Sequence, residues 1–88
     1  MLIIMCEGMS GMTVVAFIML KVRTDSTREV LEKVKSFRET KQAHIIFGAY
    51  DMIVKAEFKD NDDMSRFVVD KLKSIDGVLD TATNVCAL

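Results

Sequence analysis

The chain has 88 residues, 12 Lys plus Arg against 13 Asp plus Glu, and a formal net charge of −1. This length leaves room for one domain with a small core, and domains of this size are commonly stabilised by disulfides, metal ions or oligomerisation. Cys6 and Cys86 are too few for a disulfide framework and lack the paired spacing of a zinc site. We therefore expect free thiols and stabilisation by oligomerisation.

The balanced charge argues against a basic surface that neutralises phosphates, so direct binding to nucleic acid is not expected. The longest apolar run, Val14 to Leu20, is far shorter than the roughly 20 residues of a membrane helix. Residues 1–11 do not form a convincing signal peptide and are predicted to be an N-terminal extension before a domain at 12–88. A cytoplasmic protein without membrane contact is expected.

The first half of the chain predicts a strand followed by a helix. Thr13 to Val22 is mostly apolar with several β-branched residues, which is typical of a strand. Asp25 to Thr27 supplies capping residues, and Ser26 and Glu29 have the spacing of a capping box. The apolar positions that follow have the helical period: Val30, Leu31, Val34 and Phe37.

The second half predicts a hairpin, a helix and a last strand. Gln42 to Phe47 and Tyr50 to Phe58 are predicted strands, joined by a tight connection at Gly48 and Ala49. Asp60 is placed to cap a second helix, and Gly77 is placed to end it before a strand at Val78 to Val85. The apolar stripe of this helix is Met64, Phe67, Val68, Leu72 and Ile75.

The order βαββαβ predicts an α+β, ferredoxin-like fold, in which a four-stranded antiparallel sheet of order 4-1-3-2 carries two helices on one face. The opposite face should then be polar, yet the first strand is apolar on both sides, with Val15, Phe17 and Met19 on the second. The simplest cover for that face is the sheet of another copy, so we expect a homodimer formed through the sheets.

The sequence offers little support for catalysis. His44 is the single histidine and lies in an apolar strand without an evident partner, which favours a structural or interface role. Cys6 and Cys86 are near the two ends and are expected to be inert. The acids Asp60, Asp62 and Asp63 lack the rest of a calcium loop, so capping explains them. No metal or cofactor is expected.

The hairpin tip and the last strand carry the candidate binding residues. Gly48, Ala49, Tyr50 and Asp51 combine flexible backbone, an aromatic surface with a hydroxyl, and a carboxylate. These groups could bind a zwitterion or could form an ordinary turn. Thr81 and Thr83 share one face of the last strand and could be ligands or simply β-formers. The two sets belong to opposite edges of the sheet, so one ligand touching both would lie between subunits.

Several segments together resemble the effector domain of the Lrp/AsnC family of transcription regulators, from residue 13 to about 86. The matching segments are Ala16 to Val22, Gly48 to Asp51 with Ile53 to Lys55, Phe67 to Leu72, and Ile75 to Val78 with Thr81 and Thr83. Residues 1–11 are too few for the helix-turn-helix domain of the family, so the resemblance implies a stand-alone module.

The resemblance implies a domain that binds a free amino acid, dimerises through its sheets and assembles into a ring of dimers with effector sites between them. It assigns ligand contacts to Gly48, Tyr50, Asp51, Thr81 and Thr83. Full-length Lrp/AsnC regulators are the implied partners. Two alternatives remain open: a small dimeric ferredoxin-like barrel enzyme, such as a cofactor-independent monooxygenase, and an oligomerisation module without a ligand.

Overall fold

The computed structural model describes residues 14–86 and has the predicted element order. The elements are β1 (Val14–Val22), a 3₁₀ turn (Thr24–Ser26), α1 (Thr27–Ser36), β2 (Thr40–Ile45), β3 (Met52–Phe58), α2 (Asn61–Arg66) with a π-helical continuation (Phe67–Leu72), and β4 (Val78–Val85). The predicted extension at residues 1–11 and the thiol of Cys6 lie outside the described residues.

The four strands form one antiparallel sheet in the order β2-β3-β1-β4, which confirms the predicted order read from the other edge. The most apolar strands, β1 and β3, lie in the centre, because a central strand is covered by neighbours on both sides. The polar strands β2 and β4 form the edges, and their exposed backbone groups can be hydrated there.

One face of the sheet packs under the helices and forms the core. Ile18 and Leu20 of β1 and Met52 and Val54 of β3 are fully buried on this face. The helices contribute Val30, Val34, Phe67 and Leu72 to the same cluster. Each fully buried aliphatic side chain contributes about 1.5–3 kcal/mol of hydrophobic stabilisation, so this face supplies most of the driving force for folding. The predicted helical and strand periodicities are therefore confirmed.

The second face of the sheet is apolar in its centre. Met19 pairs with Ile53 on β3 and with Ala82 on β4, and Phe17 lies two residues before it on the same face. Ile53 is buried, whereas Phe17 and Met19 are half-buried. The surrounding residues of this outer face are polar: Lys21, Gln42, His44, Lys55, Glu57, Asp80 and Asn84.

The start of α1 differs from the predicted capping box. Ser26 is the N-cap residue, but its side chain makes no capping hydrogen bond. Its hydroxyl instead accepts from Arg23 Nη2 at 3.0 Å and donates to Asp25 Oδ1 at 3.2 Å. The capping-box prediction was wrong because the Ser26 oxygen accepts from the Arg23 guanidinium instead of a helix amide. The spacing of Ser26 and Glu29 does not reveal that contact. At α2, by contrast, Asp60 accepts from the Asp63 amide at 2.8 Å, as predicted.

The end of the second helix also differs from its prediction. The helix ends at Leu72, in a π-helical segment closed by the Lys73 N–H donating to the Val68 carbonyl at 2.9 Å. Gly77 lies five residues further on, with a φ of 101° that favours glycine, and leads the chain into β4. It shapes the turn rather than ending the helix.

The hairpin connection is longer than predicted. β2 ends at Ile45 and β3 begins at Met52, so residues 46–51 join them instead of Gly48 and Ala49 alone. The prediction placed the end of β2 at Phe47, because the apolar run continues from the strand into the tip. Phe47 lies in the tip and is completely exposed. A longer connection carries Asp51 to the end of β1.

Cys86 is disulfide-bonded, so the prediction of a free thiol at this residue was wrong. Its backbone N–H donates to the Val15 carbonyl at 2.8 Å, and its side chain is buried. The sequence around Cys86 carries no spacing typical of a disulfide, which is why its bonded state was not expected.

Neither helix within residues 14–86 has the length and apolar run needed to cross a bilayer.

Candidate functional site

Asp51 ties the hairpin tip to the end of β1. Its backbone N–H donates to the Leu20 carbonyl at 2.9 Å, and its Oδ2 accepts from the Val22 N–H at 2.8 Å. Within the described chain no side chain or amide donates to its second oxygen, Oδ1. Oδ2 of the carboxylate therefore holds the tip in place, and Oδ1 can accept a hydrogen bond from a ligand.

The residues that precede Asp51 in the tip have accessible backbone, since Gly48 and Ala49 are exposed. Tyr50 is half-buried, and a Cβ built on Gly48 would meet no atom within 4 Å, so the space beside Gly48 is open. The Ala49 carbonyl accepts from Lys21 Nζ at 3.3 Å. The sequence analysis did not identify Lys21 as a candidate site residue. The one signal for it is its position as a charged residue near the end of an apolar strand, on the outer side of the sheet.

The threonine pair lies on β4, as predicted, with both side chains on one face. Thr81 pairs with Leu20 and Thr83 with Ile18, so both side chains point to the helix-covered side of the sheet. Thr81 is half-buried and Thr83 is exposed, because β4 is an edge strand. The other face of β4 carries Asp80 and Asn84, which confirms the predicted alternation.

The structure brings Asp51 and Thr81 to the two sides of one β1 residue. Leu20 accepts from the Asp51 amide and pairs with Thr81, which puts the two backbones about 10 Å apart, two strand spacings. Asp51 and Thr81 are therefore closer to each other than expected for residues assigned to opposite edges of the sheet. Leu20 itself is fully buried, so core side chains fill the space over it. Within residues 14–86, the buried Leu20 side chain therefore separates the two sets on the helix side.

Within the part of the chain that the structure describes, the other groups considered from sequence do not form a reactive cluster. His44 is exposed on the outer face of the sheet opposite Ile53. Asp60 caps α2, and Asp63 pairs with Arg66 at 3.0 Å and Lys59 at 3.9 Å, as expected for capping and surface charge. Among residues 14–86, no group of three His, Cys, Asp or Glu side chains is placed to hold a metal ion.

Besides the pairs of Asp63, residues 14–86 contain two further groups of ion pairs outside the tip. The Arg23 guanidinium pairs with Asp25 at 3.0 Å and Asp76 at 3.2 Å, and the hydrogen bond from Arg23 lowers the pKa of Asp25. Lys71 pairs with Glu39 at 2.8 Å beside a cleft of about 600 Å³ between β2, β3 and α2. Cations and anions alternate along this cleft, so it presents no single charge to a ligand.

Comparison with known proteins identifies the class of this fold. The family model of the Lrp/AsnC ligand binding domain matches residues 15–87. The chain is 30% identical over 76 residues to the HTH-type transcriptional regulator PH0140 of Pyrococcus horikoshii, covering 86% of this chain and 48% of that one. The chain thus spans about half the length of the curated relatives it matches.

Solved structures agree in fold. The chain resembles the protein PHS023 of Pyrococcus horikoshii with a TM-score of 0.79 and 33% identity, covering 85% of this chain and 90% of that one. It also resembles the transcriptional regulator NMB0573 of Neisseria meningitidis, solved in complex with L-Met, with a TM-score of 0.80 and 27% identity over 85% of this chain and 50% of the other. The chain belongs to the Lrp/AsnC ligand-binding domain family. Its relatives are named as transcriptional regulators, which points away from an enzyme.

Proposed function

We propose that this chain binds a free amino acid at the hairpin tip and thereby modulates the assembly or DNA binding of Lrp/AsnC-type regulators. The observation that carries the proposal is the Asp51 carboxylate, which is fixed by the Val22 amide through Oδ2 and keeps Oδ1 available. A carboxylate held in one orientation can accept a charge-assisted hydrogen bond from an α-ammonium without first losing its own freedom.

The remaining contacts follow from the chemistry of an amino acid. Backbone amides around Gly48 and Ala49 can donate to the ligand carboxylate, and Tyr50 can form a wall of the site. The family match and the L-Met complex of NMB0573 support this ligand class.

Completion of the site by another subunit is part of the proposal. Thr81 and Thr83 of one chain are separated from its own tip by the buried Leu20, so they would meet the amino acid bound at the tip of a neighbouring chain. The apolar centre of the outer face supports a homodimer formed through the sheets, and a ring of such dimers would place tips beside threonine pairs. Binding would then be coupled to assembly, because only the assembled state holds the whole site.

The partners of such a module would be further copies of this chain and full-length regulators that carry a DNA-binding domain. The outer face of the sheet would join this chain to either kind of partner. A protein in this role acts in the cytoplasm, without its own contact to DNA or membrane.

A thermal-shift screen against the common amino acids, beginning with L-methionine, tests the ligand class. A compound that binds only the folded state raises the melting temperature. We expect a saturable rise with at least one amino acid. A chain whose melting temperature no amino acid changes would be an oligomerisation module without a ligand.

The substitution Asp51→Asn tests the site. The amide oxygen of asparagine can still accept from the Val22 N–H, so the fold is retained while the charge is lost. Affinity for the amino acid should fall about 10-fold or more, the equivalent of a hydrogen bond of about 1.5–3 kcal/mol to a charged group. The measurement is isothermal titration calorimetry.

Asp60→Asn is the matched control. Asp60 also accepts a hydrogen bond from a backbone amide at 2.8 Å, and asparagine caps helices equally well. It should bind the amino acid with unchanged affinity. Unchanged affinity in a folded Asp51→Asn protein would remove Asp51 from the site.

A further inference from the structure

Three consecutive residues at the end of β1 contact the hairpin tip. The Leu20 carbonyl accepts from the Asp51 amide, the Val22 amide donates to the Asp51 carboxylate, and the Lys21 ammonium donates to the Ala49 carbonyl. The Lys21 ammonium and the Asp51 carboxylate are therefore both held where the end of β1 meets the tip.

We propose that Lys21 is a ligand-contact residue that binds the α-carboxylate of the amino acid and selects for it. This inference rests on the proposed function and adds a specificity determinant to the same site. Asp51 would bind the ligand's ammonium group and Lys21 its carboxylate, so the charges of the site complement those of a zwitterion.

The surroundings of Lys21 leave its charge available. The side chain is exposed, and within residues 14–86 its ammonium has no carboxylate partner, only the Ala49 carbonyl at 3.3 Å. The nearest acid by strand pairing is Asp80, whose Oδ1 accepts from the Thr81 amide at 2.9 Å. A carbonyl satisfies one of the three ammonium donors, so two remain for a carboxylate.

The position of Lys21 is also unusual for its strand. Every other residue of β1 is apolar, and alternation along the strand turns Lys21 to the outer side, beside the tip. A lysine used only for solubility does not need a hydrogen bond to a residue 28 positions away. The contact places the ammonium 3.3 Å from the carbonyl of Ala49, the residue that follows Gly48.

The test compares an amino acid with its carboxamide, which keeps the ammonium and the side chain but lacks the negative charge. The probes are L-methionine and L-methioninamide, or the corresponding pair for the amino acid that gives the largest thermal shift. Titrations are made at about pH 6.5, below the pKa of an α-amino group, so that both probes carry the ammonium. The proteins are the wild type, Lys21→Met and Lys21→Arg, with Lys35→Met on the exposed, distant end of α1 as the control.

We expect the wild type to bind the amino acid more tightly than the carboxamide. Lys21→Met should lose about tenfold or more in affinity for the amino acid and little for the carboxamide, so that the preference disappears. Lys21→Arg should keep the preference, because guanidinium also binds carboxylates. Lys35→Met should behave as the wild type.

Two results would overturn the inference while leaving amino-acid binding intact. An equal loss for both probes in Lys21→Met would mean that Lys21 only holds the tip through Ala49. Unchanged affinities would remove Lys21 from the site. A wild-type chain that binds neither probe nor any other amino acid would overturn both this inference and the proposed function.

Discussion

Glu39 and Lys71 form a partly buried ion pair at 2.8 Å, and the Lys71 ammonium also lies 5.4 Å from the Phe37 ring centroid and 5.8 Å from that of Phe67. Burial raises the pKa of Glu39, but the hydrogen bond from Lys71, a backbone hydrogen bond and the charges of Lys71 and Arg38 together outweigh burial, so the pKa is lowered from its ordinary value of 4.5. The aromatic rings hold the ammonium in place, because a cation is attracted to their faces.

The lowered pKa of Glu39 predicts a loss of stability in acid. As the pH falls below 4.5, the unfolded chain takes up a proton at Glu39 before the folded chain does, which favours unfolding. The contribution of the pair, at most about 1 kcal/mol, is complete at neutral pH and is lost as the pH falls through the folded-state pKa. Urea unfolding of the wild type and Glu39→Gln across this range measures it.

The two stability curves should differ near pH 7 and converge below pH 4.5. Ser74→Ala serves as the control, since it changes an exposed hydroxyl and no ionisable group. Parallel curves for the wild type and Glu39→Gln at all pH values would contradict the argument.

At the level of secondary-structure elements, the turn before β4 depends on a close contact with the start of α1. Gly77 accepts from the Arg23 amide at 2.7 Å, and a Cβ on Gly77 would lie 2.7 Å from the Ser26 Cβ. Arg23 also reaches across to Asp76 beside it. The connection from β1 to α1 and the connection from the second helix to β4 are thus packed against each other, and only a residue without a side chain fits between them.

Gly77→Ala should therefore destabilise the fold by about 1–3 kcal/mol, from the unfavourable positive φ together with the collision with Ser26. Chemical denaturation measures this change. Ser26→Gly in the same chain removes the nearest colliding atom, so the double variant should lose less stability than the sum of the two single variants. Additive losses would show that the collision has no part in the cost.

At the level of the whole molecule, we expect copies to associate through the outer face of the sheet. Phe17 and Met19 lie at its centre, half-buried, within a frame of charged and polar residues. This arrangement, an apolar centre with a polar rim, is typical of an interface between subunits. The helices cover only the other face, so a second sheet would bury these side chains.

We expect a dimer at micromolar concentration in light scattering, and we expect Met19→Lys to shift the mass toward the monomer, because a buried unpaired charge is costly. Val69→Lys provides the control, since Val69 is an exposed residue of the π-helical segment, away from the sheet. A monomeric wild type, or a Met19→Lys protein that remains as dimeric as the control, would contradict a dimer formed through this face.

The sequence by itself determined the element order, the strand order and the core face of the two central strands. Alternation along β3 separates Met52 and Val54 from Ile53 and Lys55, and the helical period groups Val30 with Val34. These patterns are local, because burial of an apolar face fixes the period of side chains along a single element. The rules of chain connection then leave few topologies for βαββαβ.

Only the tertiary structure decided which partners the polar groups take. Ser26 matched a capping box yet bonds Arg23, and Asp51 matched a turn residue yet holds the Val22 amide 29 positions away. Lys21 meets Ala49 across a similar separation, and Cys86 is disulfide-bonded. The Asp51 and Lys21 contacts join residues 29 and 28 positions apart, and the Arg23 guanidinium that Ser26 meets also pairs with Asp76, 53 positions away. Short spacing carries no information about such contacts, because they form only when separate elements pack together.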